Sequence, residues 1–140
     1  MNTEKMYDDI EKHGYHVHCV FDIKKKLKNG EMVEIMNIHT HGITETWKHP
    51  ELQIIIPLHQ SVIEGILQNI VSKIKIGEKL VEGLFYDDII GNFPVKFLKK
   101  PEGMRLILPD EAGKFEDSES PVFQAQFELE NIDWFFNENP

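Results

Sequence analysis

The segment from Leu58 to Ile76 constrains the fold most, because its apolar positions recur at the spacing of an α-helix. One stripe of this predicted helix collects six aliphatic side chains: Val62, Ile63, Ile66, Leu67, Ile70 and Ile74. Gly77 follows directly and is suited to end the helix. A helix with a single apolar stripe must bury it against another surface, and the rest of the chain predicts β-strands that can form one.

The remaining segments read as strands, apart from a short helix predicted over residues 3–13. The predicted strands are residues 15–23, 32–41, 52–56, 81–86, 93–98, 104–108 and 122–129. Residues 42–51 are predicted to be a loop. The sequence therefore predicts an α+β fold, with a mainly antiparallel sheet, the long helix packed on one face, and a short N-terminal helix. We expect a single domain over residues 1–140.

Composition narrows the classes of function. The lone Cys19 cannot form an internal disulfide, and no secretory or membrane-spanning pattern is present, so we expect a cytoplasmic protein away from membranes. The net charge is -9, and residues 109–140 account for -8 of it, with nine acids against Lys114. Such an acidic region repels nucleic acid. It would suit a basic protein partner, or serve solubility alone.

Histidines are concentrated in the first 59 residues, at positions His13, His16, His18, His39, His41, His49 and His59. Alternate residues of a strand share a side, so His18 and the pair His39 and His41 can form one histidine side. Asn29-Gly30 favours a two-residue hairpin turn, in which facing residue numbers sum to 59. This register predicts His18 opposite His41 and Val20 opposite His39.

The other side of the same predicted hairpin is apolar. It collects Val17, Cys19, Phe21 and Ile23 opposite Met36 and Ile38. One register thus gives an apolar side for the core and a separate histidine side, which supports the alignment. On the apolar side Cys19 is expected to pack rather than react.

Three of His18, His39, His41 and His49 form a candidate site for zinc or nickel. Facing side chains on paired strands have Cβ atoms about 5 Å apart, and imidazoles at that separation can converge on an ion at about 2.0–2.1 Å. The alternative is that these are polar residues on the less buried side, partly covered by the loop that carries Trp47 and His49.

The motifs His39-Thr40-His41-Gly42 and His49-Pro50-Glu51-Leu52 resemble a bacterial family of domains of unknown function. In that family the first segment also reads Tyr-Thr-x-Gly, and His-Pro-Glu/Asp-Leu follows it. Further matching segments are Ile74-Lys75-Ile76-Gly77, Arg105-Leu106-Ile107-Leu108-Pro109-Asp110, and Gly113-Lys114-Phe115 with Asp117. The resemblance spans about residues 14–126. It implies a small α+β domain and supplies no activity, cofactor or catalytic residue.

Three functional hypotheses follow. The first is a non-enzymatic interaction module, similar to an antidote that binds a basic protein, since no catalytic constellation or phosphate-binding loop is present. Its candidate partner-binding residues are aromatic: Trp47, Trp134, Phe135 and Phe136. The alternative is a divalent-metal-binding protein or metal-dependent hydrolase that uses the histidine side. The third is a homodimer formed through the hairpin or the aromatic end.

Overall fold

A five-stranded mixed sheet organises the computed structural model, which describes residues 3–91, 93–130 and 132. In chain order the elements are α1 (Thr3–His13), β1 (His16–Lys26), β2 (Met32–His41), α2 (Ile43–Trp47), β3 (Glu51–Ile54), α3 (Gln60–Lys75), β4 (Lys96–Lys100), β5 (Gly103–Ile107) and α4 (Pro121–Glu128). The strand order is β1-β2-β3-β5-β4, and only the β3–β5 pair is parallel. The predicted α+β class and mainly antiparallel sheet are confirmed. None of the helices in the described ranges is long and apolar enough to cross a membrane.

Helix α3 covers one face of the sheet, as the sequence predicts. It buries Ile63, Ile66, Leu67, Ile70, Val71 and Ile74 in the main core. Each such side chain contributes roughly 1.5–3 kcal/mol when it is fully buried. The stripe differs from the prediction at one edge, since Val62 is 46% exposed and Val71 takes its place. The helix begins at Gln60 rather than at Leu58, and His59 caps it, since its Nδ1 accepts a hydrogen bond from the Ser61 amide at 3.2 Å.

The register of the β1–β2 hairpin differs from the predicted one by two residues. His18 faces His39, and His41 faces His16, so facing numbers sum to 57 rather than 59. The turn is longer than two residues because the Leu27 amide donates to the Glu31 carbonyl at 2.8 Å, which closes a loop over residues 27–31. This loop accounts for one residue of the shift, since the pairs from Ile23 to Lys26 sum to 58, and a bulge in β1 adds the other. At the histidines the total shift of two residues keeps each side chain on its predicted side of the strand. The predicted facing pair was wrong, but the predicted histidine side was preserved.

A β-bulge in β1 changes the predicted apolar side beyond Val20. Val20 pairs with Asn37 and Ile23 pairs with Ile35, which leaves two residues of β1 opposite one residue of β2. Phe21 in this bulge is 61% exposed, contrary to the predicted burial. Ile23 moves to the opposite face, where it packs on a second apolar cluster formed by Leu27, Val33, Ile35, Ile55, Ala125 and Ile132. Val17 and Cys19, before the bulge, pack against the main core as expected.

The predicted strand at residues 122–129 is wrong, because this segment forms helix α4. Pro121 occupies the first helical turn after Ser120, an arrangement that favours a helix start. Gln126 then fixes the helix to the sheet, since its amide group both accepts from the Leu108 amide and donates to the Leu108 carbonyl, each at 2.8 Å. The side chain of Gln126 therefore supplies the hydrogen bonds that a neighbouring strand would have made.

Three smaller predictions also change. Residues 81–86 form no strand and contribute only a single bridge, from Tyr86 to Val95. Strand β4 begins at Lys96 rather than at residue 93, because Pro94 has no amide hydrogen for a ladder. The predicted loop over residues 42–51 contains the short helix α2, whose first amides at Ile43 and Thr44 donate to the Glu51 carboxylate.

Candidate metal centre

The face of the sheet opposite α3 carries a row of polar side chains, and we call it the histidine face. His18, His39, Gln53 and Arg105 occupy facing positions on β1, β2, β3 and β5 in turn. Facing residues on paired strands point to the same side. His16 and His41 form the adjacent facing pair on β1 and β2. Regular strand pairing therefore gathers four histidines at one edge of a polar row.

Three of these histidines are close enough to share one ion. His18, His39 and His41 each offer a ring nitrogen, and these nitrogens lie within 4.8 Å of one another. The ring centroids of His39 lie 4.9 Å from those of both His18 and His41. Nitrogens bound at about 2.0–2.1 Å to a tetrahedral ion are roughly 3.4 Å apart. Small rotations of the rings would bring the three nitrogens to that spacing.

Burial keeps the His39 and His41 imidazoles neutral. His39 is 1% exposed, and burial together with the neighbouring His41 and His18 rings lowers its pKa to about 3. The pKa of His41 falls to about 4, again mainly through burial and then through repulsion from His18 and His16. Glu45 opposes that decrease. A metal ion binds the neutral imidazole, so at neutral pH both rings are in the protonation state that coordination needs.

A chain of hydrogen bonds leads from the histidines into the sheet. His39 Nε2 lies 3.2 Å from His18 Nδ1, and His39 Nδ1 lies 3.1 Å from Asn37 Oδ1. Gln53 Nε2 donates to the same Asn37 oxygen at 3.0 Å. Arg105 Nε donates to Gln53 Oε1 at 2.8 Å. Asn37, His39, Gln53 and Arg105 are all buried, so these contacts are shielded from competing water.

Arg105 anchors the far end of this chain. Its Nη1 donates to the carbonyl of Gln126 at 2.9 Å and to that of Leu129 at 2.5 Å, at the C-terminal end of α4. Those carbonyls have no partner within the helix itself and carry its negative pole. Burial lowers the pKa of Arg105 to about 10, which still leaves the guanidinium charged at neutral pH.

His16 lies beside the cluster, on the same side of β1 as His18, although it was not among the predicted ligands. Its Nδ1 lies 2.7 Å from Asp9 Oδ2, and this hydrogen bond is the main cause that lowers the pKa of Asp9. The predicted register pairs His16 with residue 43, beyond the end of β2. It therefore does not predict that His16 faces His41. Asp9 comes from helix α1, whose position on the sheet strand alternation cannot predict.

His49, the fourth predicted ligand, is not brought to the cluster. It is 4% exposed, and both of its ring nitrogens are engaged elsewhere. Nδ1 donates to the Pro50 carbonyl at 2.9 Å, and Nε2 accepts from the Leu80 amide at 3.3 Å. These contacts join the segment before β3 to the segment after α3. The role of His49 in the described structure is therefore to hold these segments together.

The predicted aromatic surface is only partly described. Trp47, at the end of α2, is half-buried and packs over Gly14, where a Cβ would find no room. Its ring lies 6.4 Å from Tyr15, and the Lys75 ammonium lies 5.8 Å from the ring centre. Trp134, Phe135 and Phe136 lie outside the described residues.

A cavity of about 610 Å³ opens beside His41. Helix α1 forms one wall, the end of β2 and helix α2 form the other, and the carboxylates of Glu45, Glu51 and Glu102 are among the lining groups. The Glu51 carboxylate accepts hydrogen bonds from the Thr40 hydroxyl at 2.8 Å and from the first amides of α2. His41 thus belongs both to the three-histidine cluster and to the wall of this cavity.

Comparison with known proteins identifies one family and no characterised relative. The model of a domain of unknown function, DUF4262, matches residues 9–105, about two thirds of the chain. The matched region includes the three-histidine cluster and the polar row as far as Arg105. No curated protein and no solved structure shows significant similarity to the chain.

Proposed function

The chain belongs to the DUF4262 family of domains of unknown function, and we propose that it binds one divalent transition-metal ion, zinc or nickel, through His18, His39 and His41. The observation that carries this proposal is the convergence of three ring nitrogens within 4.8 Å on two paired strands. Strands hold side chains more firmly than loops do, so the ligands are largely oriented before the ion arrives.

Two properties of the ligands support a metal site over a merely polar surface. His39 and His41 stay neutral well below pH 7 because of their burial, so protons compete weakly with an ion. His39 is also oriented through its second nitrogen, since Nδ1 contacts Asn37 Oδ1 at 3.1 Å. Histidines that bind metals usually have such a partner on the nitrogen that does not bind the ion.

The ligand number and the cavity indicate what kind of metal site this would be. Three histidines leave at least one position of a tetrahedral ion for water or another small ligand, as in catalytic zinc sites. The cavity that His41 lines would give solvent and small molecules access to that position. A zinc-bound water can lose its proton near pH 7, so hydrolysis is the reaction class that the proposal makes available.

The test is the thermal stability of the metal-free protein in the presence of zinc or nickel. An ion that binds only the folded state stabilises it by about 2.7 kcal/mol when its free concentration is a hundred times Kd. We expect the wild-type melting temperature to rise accordingly. The substitutions His18→Ala and His41→Ala should each abolish that rise, because two ligands hold an ion far more weakly than three.

His13→Ala is the matched control, because His13 is exposed at the end of α1 and outside the cluster. It should keep the full zinc response. A wild-type protein whose melting temperature ignores zinc, nickel, manganese and iron at neutral pH would refute the metal site. Loss of the response in His13→Ala would place the ion elsewhere on the chain and would also refute it.

An interaction module for a basic protein is the second candidate function. Its support is an apolar patch at Val81, Leu84 and Phe85, whose side chains are each about half exposed. Glu82 and Asp87 lie within the same segment, so a partner with apolar and cationic groups would fit this surface. A protein that shows no response to metal ions would favour this candidate.

A further inference from the structure

We infer that Arg105, acting through Gln53 and Asn37, sets which nitrogen of His39 carries its hydrogen and so makes Nε2 available to a metal ion. This inference rests on the proposed metal function and adds two positioning residues to it, Arg105 and Gln53. Neither is among the three proposed ligands, and Arg105 lies on β5, two strands away from His39.

The direction of each hydrogen bond follows from the chemistry of the guanidinium group. An arginine can only donate, so the Gln53 atom that faces Arg105 Nε must be the carbonyl oxygen. The other terminal atom of Gln53 is then its NH2 group, which must donate to Asn37. The Asn37 atom that accepts it must in turn be oxygen. Arg105 thereby fixes the orientation of the Gln53 amide, and Gln53 fixes that of the Asn37 amide.

The last step fixes the histidine tautomer. His39 Nδ1 contacts the same Asn37 oxygen at 3.1 Å, and an oxygen without a hydrogen can only accept, so Nδ1 must carry the hydrogen. In a neutral imidazole the other nitrogen, Nε2, then carries no hydrogen and keeps its lone pair. Nε2 is the nitrogen that faces His18, at 3.2 Å from its Nδ1. His39 is therefore prepared to bind an ion on the side where the other ligands lie.

This series of hydrogen bonds also explains why a charged group is buried. Arg105 is the chain's one arginine, and it is fully buried. A neutral side chain with both donors and acceptors could face Gln53 in either orientation, and the Asn37 side-chain oxygen would then not be held toward His39 Nδ1. A donor-only group removes that choice.

Gln53→Glu tests the inference with almost no change in shape. A carboxylate at position 53 still accepts from Arg105 but cannot donate, so Asn37 must turn its NH2 group toward it. That NH2 group then opposes a hydrogen on His39 Nδ1, which favours the tautomer with the hydrogen on Nε2. We expect the nitrogen chemical shifts of His39 in metal-free protein to report Nδ1–H in the wild type and Nε2–H in Gln53→Glu. Zinc affinity should fall about 10–100-fold.

Two further variants keep the test decisive. In Asn37→Asp the carboxylate can only accept, so His39 should keep its hydrogen on Nδ1, and this outcome can be read even if Gln53→Glu fails to fold. Gln68→Glu makes the same substitution at an exposed position of α3, and it should leave the tautomer and the zinc affinity unchanged.

The inference about the His39 tautomer and the proposed metal function are refuted by different results. Nε2–H in the wild type or in Asn37→Asp, or Nδ1–H in a folded Gln53→Glu, would overturn the inference. Predicted tautomers in a wild-type protein that does not bind zinc would establish the hydrogen-bond chain and overturn the proposed metal function instead.

Discussion

Acidification from pH 6.5 to roughly pH 4.5 should lower the free energy of unfolding of the metal-free protein by about 3–5 kcal/mol. The cause is the low pKa of His39, about 3, and of His41, about 4, in the folded protein. In the unfolded chain both rings return to about 6.5. Below that pH the unfolded state binds protons that the folded state excludes, and each histidine then costs about 1.4 kcal/mol per pH unit.

The sign and the window of this effect distinguish it from ordinary acid unfolding. Well above pH 6.5 both rings are neutral in both states, so they contribute no slope. The carboxylates with lowered pKa values, Asp9, Asp88, Asp110 and Glu116, begin to lose their stabilisation near pH 5, since their ordinary values are 3.8 to 4.5. The interval from pH 6.5 to about 5 therefore isolates the histidines, and the carboxylates add to the slope below it.

Urea unfolding at a series of pH values measures this slope. His39→Gln should reduce it by about half, because one of the two proton-excluding rings is gone. His13→Gln changes an exposed histidine at the end of α1 and should retain the wild-type profile. A free energy of unfolding that stays constant across the interval would mean that the histidine cluster is not buried as described.

Replacement of Arg105 by methionine should destabilise the protein by about 3–5 kcal/mol, the second large effect that we expect. Methionine fills a similar volume but cannot donate. Three acceptors then lose their donor, namely Gln53 Oε1 and the carbonyls of Gln126 and Leu129. A buried acceptor left without a partner costs about 1–3 kcal/mol.

Denaturant midpoints of matched variants test this expectation. Arg105→Lys should recover only part of the loss, because a single ammonium group cannot reach the three acceptors in the arrangement that a planar guanidinium does. Lys99→Met removes an exposed positive charge from the neighbouring strand β4, and it should change stability by less than about 0.5 kcal/mol. Equal effects of Arg105→Met and Lys99→Met would contradict the role given to Arg105.

The elements that the sequence predicts well are those with a clear period. The stripe of α3 and the alternation of β2, and of β1 as far as Val20, depend on local spacing, so these elements and their core-facing sides follow from the residues alone. Beyond Val20 the bulge exposes Phe21 and places Ile23 on the other face, which local spacing does not predict. The strand predicted over residues 122–129 was wrong because Phe123, Ala125 and Phe127 alternate like strand residues although the segment is helical. The contact that decides its structure, from Gln126 to the backbone of Leu108, joins residues far apart in the chain.

The candidate site shows the same division. The shared side of His18, His39 and His41 follows from strand alternation, and it survives a register error of two residues because the error is even. The contribution of Asn37, Gln53 and Arg105 does not follow, since their row requires the order of strands β2, β3 and β5. His49 is predicted as a ligand only from its position in the loop after β2. That position does not show that its ring nitrogens are hydrogen-bonded to Pro50 and Leu80.

The metal content of the purified protein decides whether His18, His39 and His41 form a metal site. The protein should be produced without a histidine tag, incubated with zinc, dialysed free of unbound ion and submitted to elemental analysis. We expect roughly one zinc ion per chain in the wild type and in His13→Ala, and almost none in His41→Ala. Wild-type protein that retains no zinc, or His41→Ala protein that retains as much as the wild type, would contradict this expectation.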